Sequence, residues 1–195
     1  MKYNLSEINE VIRNRRSIKP ENFSTRKVHR EIIEVLLENA RWAPTHALTQ
    51  PWQFKVFTEA GLQKLANFQS NTYKQITPTD KFNTAKFEKL NSRPLKSSAI
   101  IAIGMQRQKT EKIPEIEEIA AVACAVQNMQ LTACAYGISA YWTSGGLTYQ
   151  DEMKEFLGLQ KKDKCMGFLY LGYPTIEWPK SQRKPYEYFT QWINK

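Results

Sequence analysis

The stretch from Glu115 to Gly146 reads EIEEIAAVACAVQNMQLTACAYGISAYWTSGG. Apolar residues lie nearly all round the segment Glu115–Tyr136, which is typical of a helix in the core of a protein. Gly137 suits the left-handed position that commonly follows the end of a helix. We therefore predict a central helix, a short strand over Ile138–Trp142 and a tight loop over residues 143–146.

The rest of the chain also predicts alternating helices and strands. The polar stretch 69–95 contains two prolines, and its pattern leaves open a helical excursion or a lid. Alternating or continuous apolar residues predict strands over Trp52–Phe57, Ala99–Ile103 and Met166–Gly172, and helical periodicity predicts helices over Ser6–Asn14 (capped by Ser6), Val28–Trp42, Leu62–Phe68 and Tyr149–Leu157.

Length and composition favour one globular domain over residues 1–195. The chain has 195 residues, of which 42% are hydrophobic and 24% charged. The longest apolar run, Ile119–Val126, is far shorter than the ~20 residues of a membrane helix. The N-terminus lacks the apolar core of a signal peptide. The three cysteines form no CxxC pair, so we expect buried free thiols, a cytoplasmic protein and no membrane partner.

The net charge of +9 is concentrated in the first sixth of the chain. Between Arg13 and Arg30 there are seven basic residues and one acid. Within this cluster, Arg15-Arg16-Ser17 combines two guanidinium groups with a hydroxyl, and such groups bind phosphate well. The charge also raises the possibility of a nucleic-acid partner, but the sequence has no helix-turn-helix, zinc or RNP-type motif, so we expect none.

The sequence lacks the side chains for catalysis without a cofactor. Its two histidines, His29 and His46, lie in no hydrolase or zinc motif. No cluster of aspartates suggests magnesium chemistry, and we expect no metal site. Gly145-Gly146 is too short for a phosphate-binding glycine loop. We therefore expect no catalytic side chain, and infer that a cofactor performs the difficult chemistry of any enzyme here.

Three segments together are similar to the nitroreductase family of FMN-dependent oxidoreductases. They are Arg15–Lys19, the loop APTHALTQPW over Ala43–Trp52, and YWTSGG over Tyr141–Gly146. The resemblance extends over nearly the whole chain, and the small size and His46 look most like the minimal bacterial members. It implies an α+β fold with a central, mostly antiparallel sheet flanked by helices. It also implies a homodimer with FMN at the subunit interface, in which the C-terminal segment, about residues 178–195, crosses to the partner subunit.

The resemblance assigns site residues by position. Arg15 and Ser17, with Arg16 beside them and Arg183 from the tail, are expected at the FMN phosphate and ribityl chain. Lys19 is expected near the N1–C2 edge of the flavin, where a cation stabilises the anionic reduced form. The remaining expected contacts are Pro44, Thr45, His46 and Gln50 from the other subunit, and Trp142, Thr143, Ser144 and Gly145 along the ring.

Two positions depart from the family pattern. Many relatives have a flavin-binding Asn where Leu48 stands, and Gln50 or His46 is a candidate replacement. Ser181 stands where a second basic residue often precedes the tail arginine, so Lys180 or Lys184 is a candidate substitute.

The implied function is hydride transfer from NAD(P)H through FMN to an electron-poor small molecule, such as a nitroaromatic or quinone, by a ping-pong mechanism. Three alternatives remain open from the sequence. The first is a flavoenzyme of the same fold with a specific substrate, of the dehydrogenase, dehalogenase or flavin-fragmenting type. The others are a non-catalytic flavin-binding protein and a basic nucleic-acid-binding protein. The sequence gives no signal for NADH over NADPH.

Overall fold

A four-stranded sheet with the order β1-β2-β4-β3 forms the centre of the protein, and all three neighbouring pairs are antiparallel. This arrangement comes from a computed structural model, which describes residues 3–194. The strands are β1 (Trp52–Thr58), β2 (Ala99–Met105), β3 (Ser139–Thr143) and β4 (Lys164–Gly172).

Helices cover both faces of this sheet, and the predicted α+β class is confirmed. Short 3-10 turns connect several of the elements. The helices are α1 (Leu5–Asn14), α2 (Arg30–Ala40), α3 (Ala60–Ile76), α4 (Thr84–Ser92), α5 (Glu115–Ala135) and α6 (Asp151–Leu157).

Strand β2 explains why the core divides into two layers. Every residue of β2 is buried, because successive side chains point to opposite faces and both faces are covered. Ile101 and Ile103 pack with α2 and α5 on one face. Ile100 and Ala102 pack with α3 and α6 on the other. The long helix α5 agrees closely with the predicted segment Glu115–Tyr136.

Three predicted helix boundaries were wrong. Asn4, not Ser6, caps α1, because its Oδ1 accepts hydrogen bonds from the backbone N–H of Ser6 and Glu7 at 3.1 and 3.5 Å. Helix α2 begins at Arg30, because its N-cap His29 has an extended backbone with φ of −65° and ψ of 149°, and the preceding Val28 donates its N–H to Ser98 Oγ at 2.6 Å. Helix α3 continues to Ile76, eight residues beyond the predicted end.

The open stretch 69–95 is a helical excursion. It contains the second half of α3, a turn over Thr79–Lys81, helix α4 and a turn over Arg93–Lys96. Polar residues of this half of α3, including Gln69 and Thr72, are buried. Their burial hides the apolar periodicity from which a helix is normally predicted.

The cysteines are free, but only Cys165 is fully buried. Cys134 is half-buried and Cys124 is exposed, so the expectation of three buried thiols was wrong. Along residues 3–194 no helix is both long and apolar enough to cross a bilayer.

The C-terminal segment exposes an unusual amount of apolar surface. After the turn that follows β4, this segment runs in extended and turn conformations, with one 3-10 turn over Tyr186–Phe189. Its large apolar side chains are 62–82% exposed, and these are Tyr186, Tyr188, Phe189, Trp192 and Ile193.

Candidate functional site

The segment after α1 places a cluster of cations beside the start of β3. The backbone of Ile18 donates to Ser139 Oγ at 3.0 Å, and the same hydroxyl donates back to Ile18 O at 3.2 Å. Ile18 itself is 2% exposed, so it anchors the segment in the core. The half-buried Arg15 reaches Ser17 Oγ at 3.4 Å and forms no ion pair with any carboxylate that the structure describes. Arg15 therefore offers an uncompensated guanidinium group next to a hydroxyl.

Arg16 has a different environment from Arg15. It donates to three backbone carbonyls, those of Arg13, Arg15 and Pro179, at 2.6, 2.9 and 2.7 Å. The Pro179 contact joins the N-terminal segment to the start of the tail, where Trp178 Nε1 also donates to the carbonyl of Asn14. Arg16 thus fastens the tail against the cluster, and its donors are largely used within the protein.

Arg183 lies further along the tail. Its guanidinium group donates to Ser181 Oγ and, at 2.8 Å, to Gln182 O, and it is exposed. The structure does not bring Arg183 into contact with Arg15 within one chain. Lys19 is also exposed, one residue beyond the anchored Ile18.

The loop over residues 44–50 has a strained backbone. Ala47, Leu48 and Gln50 all have positive φ, of 49°, 52° and 45°. Such values are uncommon outside glycine, cost energy and concentrate at functional sites. Thr45 stabilises the loop, because its Oγ1 lies 2.8 Å from Thr49 Oγ1 and accepts from the backbone N–H of Gln50 at 3.3 Å.

His46 connects this loop to the first turn of α5. Its Nδ1 lies 2.6 Å from Glu117 Oε2, and the two side chains are 57% and 44% exposed. Leu48, at the position where relatives have Asn, is 77% exposed. Pro44 is also exposed.

The turn after β3 approaches the backbone of β4 closely. Gly167 has φ of 110°, and a Cβ atom built there would clash with the carbonyl of Thr143. The Trp142 ring is oriented by a 2.9 Å hydrogen bond from Nε1 to Met166 O. The backbone N–H of Gly145 has only a 3.5 Å contact with Thr143 Oγ1, so it remains available to a ligand.

Two cavities adjoin this turn. The larger, of about 630 Å³, is lined by Trp142, Thr143 and Ser144 together with Tyr149 and Met166. The smaller, of about 230 Å³, is lined by Thr143, Gly145 and Gly146 together with three cations, Lys86, Lys89 and Arg93. A planar ring system next to this turn would therefore meet apolar surface and positive charge.

Arg93 lines the smaller cavity, and the sequence did not reveal it as a candidate site residue. Its guanidinium carbon lies 5.1 Å from the ring centre of Tyr141 and 5.8 Å from that of Tyr170. Its Nε lies 3.0 Å from Glu21 Oε1, and its side chain is only 15% exposed. No local motif marks it, because its neighbours come from residues 21, 141 and 170.

Burial and nearby charges shift the pKa values of three groups around the candidate site. Partial burial acts to raise the pKa of Glu21, but its own backbone N–H and the nearby Arg93 outweigh burial and lower it. Burial raises the pKa of Tyr170 to about 12, so this phenol stays neutral. Burial also raises the pKa of the Cys134 thiol, opposed by Arg15 and Arg16, which places both guanidinium groups near the end of α5.

One strand, β3, links two of the three predicted segments. The hydrogen bonds between Ile18 and Ser139 place Arg15–Lys19 next to the strand that leads to residues 142–145. Among the described residues, neither Arg15–Lys19 nor the loop 44–50 lines either cavity at this turn. Within one subunit, this loop is instead joined to the first turn of α5 through His46 and Glu117.

Comparison with known proteins identifies relatives along most of the chain. Residues 12–173 match the family model described as "Nitroreductase family". An Escherichia coli K12 protein named as a candidate NAD(P)H nitroreductase, YdjA, is 30% identical over 147 residues, which cover 75% of this chain and 78% of that protein.

Two solved structures extend the comparison to the fold. A nitroreductase-like family protein from Bacillus cereus is 29% identical, with a TM-score of 0.85 and coverage of 100% of this chain and 99% of that one. An FMN-dependent nitroreductase from Mycobacterium smegmatis, solved with NADPH, has a TM-score of 0.74 over 97% of this chain and 99% of that one. The latter is 16% identical, so its likeness concerns the fold alone.

Proposed function

Because the chain belongs to the nitroreductase family, we propose that it is an FMN-dependent oxidoreductase that takes hydride from NAD(P)H and reduces electron-poor small molecules. The single observation that best supports this proposal is the anchoring of Arg15–Lys19 at the start of β3, the strand whose other end leads into the turn 143–146 with open space next to it. This arrangement offers cations at one end and apolar and amide groups at the other, as FMN requires.

The phosphate end of FMN fits the N-terminal cluster. Arg15 has no carboxylate partner in the described structure, and Ser17 adds a hydroxyl. Charge-assisted hydrogen bonds from arginine to phosphate are short and strong. Arg183 is a candidate second cation, because it is exposed and bonded only to its immediate neighbours. Arg16 supports the cluster by fastening the tail to it.

The ring end of FMN fits the turn after β3. Trp142, Thr143 and Ser144 provide a surface for the ring, and the Gly145 N–H is free to donate to its polar edge. Lys19 and Arg93 would place positive charge near the pyrimidine part of the ring, where it favours the anionic reduced form. Arg93 extends the set of residues expected from the sequence.

Bound FMN would supply the hydride acceptance and donation that no side chain here can perform. The chain's own residues would hold the ring, fix its orientation and provide an apolar shelf for the donor and then the acceptor. The positive field around the site would attract phosphate-bearing NAD(P)H. These roles require no general acid or base among the site residues.

A second copy of the chain would complete the site. The loop 44–50 contributes no described residue to the two cavities at the turn 143–146, and its strained backbone suits it to contact FMN in the partner through His46 and Gln50. Strand β1 forms an edge of the sheet, and exposed edges are normally covered. The exposed aromatic tail would cover this edge in the partner, giving a homodimer with two flavin sites.

Steady-state kinetics test this proposal. With FMN-loaded protein, oxidation of NADPH or NADH should depend on a quinone or nitroaromatic acceptor. Double-reciprocal plots at several acceptor concentrations should be parallel, because the first product leaves before the acceptor binds. If FMN is bound but no such acceptor supports turnover, a specific-substrate flavoenzyme of the same fold becomes the better assignment. Bound FMN that no NAD(P)H reduces would indicate a non-catalytic flavin-binding protein.

A further inference from the structure

The contact between His46 and Glu117 has the geometry of an oriented imidazole. The distance from Nδ1 to Oε2 is 2.6 Å, which is short for a hydrogen bond and typical of one to a charged acceptor. An ionised carboxylate can only accept hydrogen bonds, so Nδ1 must be the donor. In the neutral imidazole, Nε2 is then unprotonated and is an acceptor.

Glu117 is itself held rigidly at the start of α5. Its backbone N–H donates to Pro114 O at 3.0 Å. The next residue, Glu118, is fully buried and bonded to Arg107 Nη1 at 2.5 Å. A carboxylate in the first turn of a helix is also favoured by the helix dipole. The backbone that carries the Glu117 carboxylate is therefore fixed, so the carboxylate can orient the imidazole.

The backbone of His46 is also held in place, by the loop that contains it. It begins the 3-10 turn His46–Leu48, within the loop that Thr45 and Thr49 bridge at 2.8 Å. Its Nε2 has no hydrogen-bond partner within residues 3–194, and the side chain is more than half exposed. The loop thus presents one defined ring nitrogen outward.

We propose that Glu117 is a positioning residue that fixes His46 in the Nδ1–H form, so that Nε2 accepts a hydrogen bond from a hydroxyl or N–H group of a flavin in the partner's site. This inference rests on the proposed function, since it takes the loop 44–50 to contact the second subunit's flavin. To the proposed function it adds which ring nitrogen of His46 carries the proton, the direction of the hydrogen bond to the flavin, and Glu117 as the residue that determines both. Second-sphere carboxylates fix histidine tautomers in metal sites in the same manner.

Nitrogen NMR of the imidazoles tests the first part without any activity measurement. The chain has two histidines, so His46 and His29 are readily assigned by substituting one of them. At a pH of about 8, where an ordinary imidazole is mostly neutral, His46 should show the Nδ1–H form. Glu117→Ala should move His46 towards the Nε2–H form that unrestrained imidazoles favour, whereas Glu117→Gln, whose amide oxygen still accepts, should retain Nδ1–H.

Matched controls separate this effect from a general change in α5. Glu115→Ala removes another exposed carboxylate of the same turn, which lies 3.5 Å from Lys164, and should leave His46 unchanged. The exposed His29, at the N-cap of α2, should give the same signal in every variant. If His46 is in the Nε2–H form in the unaltered protein, or is unchanged in Glu117→Ala, the inference is wrong.

Titration with FMN tests the second part. Losing the His46 contact should weaken FMN binding on the order of 3- to 10-fold, as for one neutral hydrogen bond. Glu117→Ala and His46→Ala should each show this loss, and the double variant should be no weaker than His46→Ala, because the two residues act as one unit. Additive losses would overturn the inference while leaving FMN binding intact. A protein that binds no FMN at all would instead contradict the proposed function.

Discussion

At the scale of single residues, Arg15 and Arg16 show how two adjacent arginines acquire different roles. Arg16 donates to three carbonyls and joins the tail to the N-terminal segment. Arg15 reaches only a hydroxyl and keeps most of its donors free. The motif therefore divides into one structural arginine and one that is available to an anion.

Replacing Arg15 tests this division. Arg15→Ala should weaken FMN binding by about 1.5–3 kcal/mol, the usual value of a hydrogen bond to a charged group. This corresponds to about a 10- to 150-fold higher Kd. Arg30→Ala, at an exposed arginine that pairs with Glu34, is the control and should leave the Kd unchanged. Fluorescence titration with FMN measures both, and equal affinities for the two variants would refute the role of Arg15.

At the scale of secondary-structure elements, the contact between β4 and the turn after β3 shapes the candidate site. Gly167 allows the backbone of Thr143 to approach where any side chain would clash. Gly167→Ala should lower the free energy of unfolding by about 3 kcal/mol or more, because it combines a strained φ with a backbone collision.

The control for this substitution is another glycine with positive φ. Gly137 has φ of 67° and open space around its Cβ position. Gly137→Ala should therefore cost only the backbone strain, about 1–2 kcal/mol. Urea unfolding of both variants gives the comparison, and equal losses would show that the close approach at Gly167 has no energetic weight.

A buried ion pair anchors the start of α5. Glu118 has no exposed side-chain surface and pairs with Arg107, which is 10% exposed. Glu118→Ala should destabilise the protein by about 3–5 kcal/mol, because it leaves a buried guanidinium group without its partner. Glu111→Ala, which removes the exposed contact with Lys162, should change the unfolding midpoint little. Similar midpoints for the two variants would contradict this account of the anchor.

The sequence predicted elements well where the apolar pattern is continuous. Strand β2 is buried along its whole length and α5 buries eight of its 21 residues, so their apolar composition identified them. The second half of α3 was missed because it buries polar groups such as Ser70, whose hydroxyl donates to Asn67 O at 3.2 Å. Arg93 was missed because its surroundings depend on contacts between residues distant in the chain.

At the scale of the whole molecule, the exposed apolar surface is where we propose that a second copy of the chain packs. The tail from Tyr186 to Ile193 exposes five large apolar side chains, and α1 has no buried residue. Contiguous exposed apolar patches commonly mark interaction surfaces. The same assembly would bring the loop 44–50 to the partner's flavin site.

Truncation of the tail tests this assembly. Removing the residues after Lys184 should shift the protein from dimer to monomer, because it deletes the apolar segment that would cover the partner's sheet edge. Removing only residues 194 and 195 is the control and should leave the dimer intact. Light scattering coupled to gel filtration measures both masses, and a fully dimeric truncation would contradict the crossing tail.

The net charge of +9 is also explained best at this scale. Six of these charges arise between Arg13 and Arg30, next to the proposed phosphate site. A positive field there would attract phosphate-bearing small molecules without requiring nucleic acid as a partner. A submicromolar affinity for nucleic acid that falls steeply with salt concentration would instead favour a nucleic-acid-binding protein.

The visible absorption spectrum of the purified protein, recorded without oxygen before and after NADPH and then a quinone, tests the central claim most directly. The proposed function predicts a flavin band that NADPH bleaches and that the quinone restores. A protein that remains colourless after incubation with FMN would contradict it.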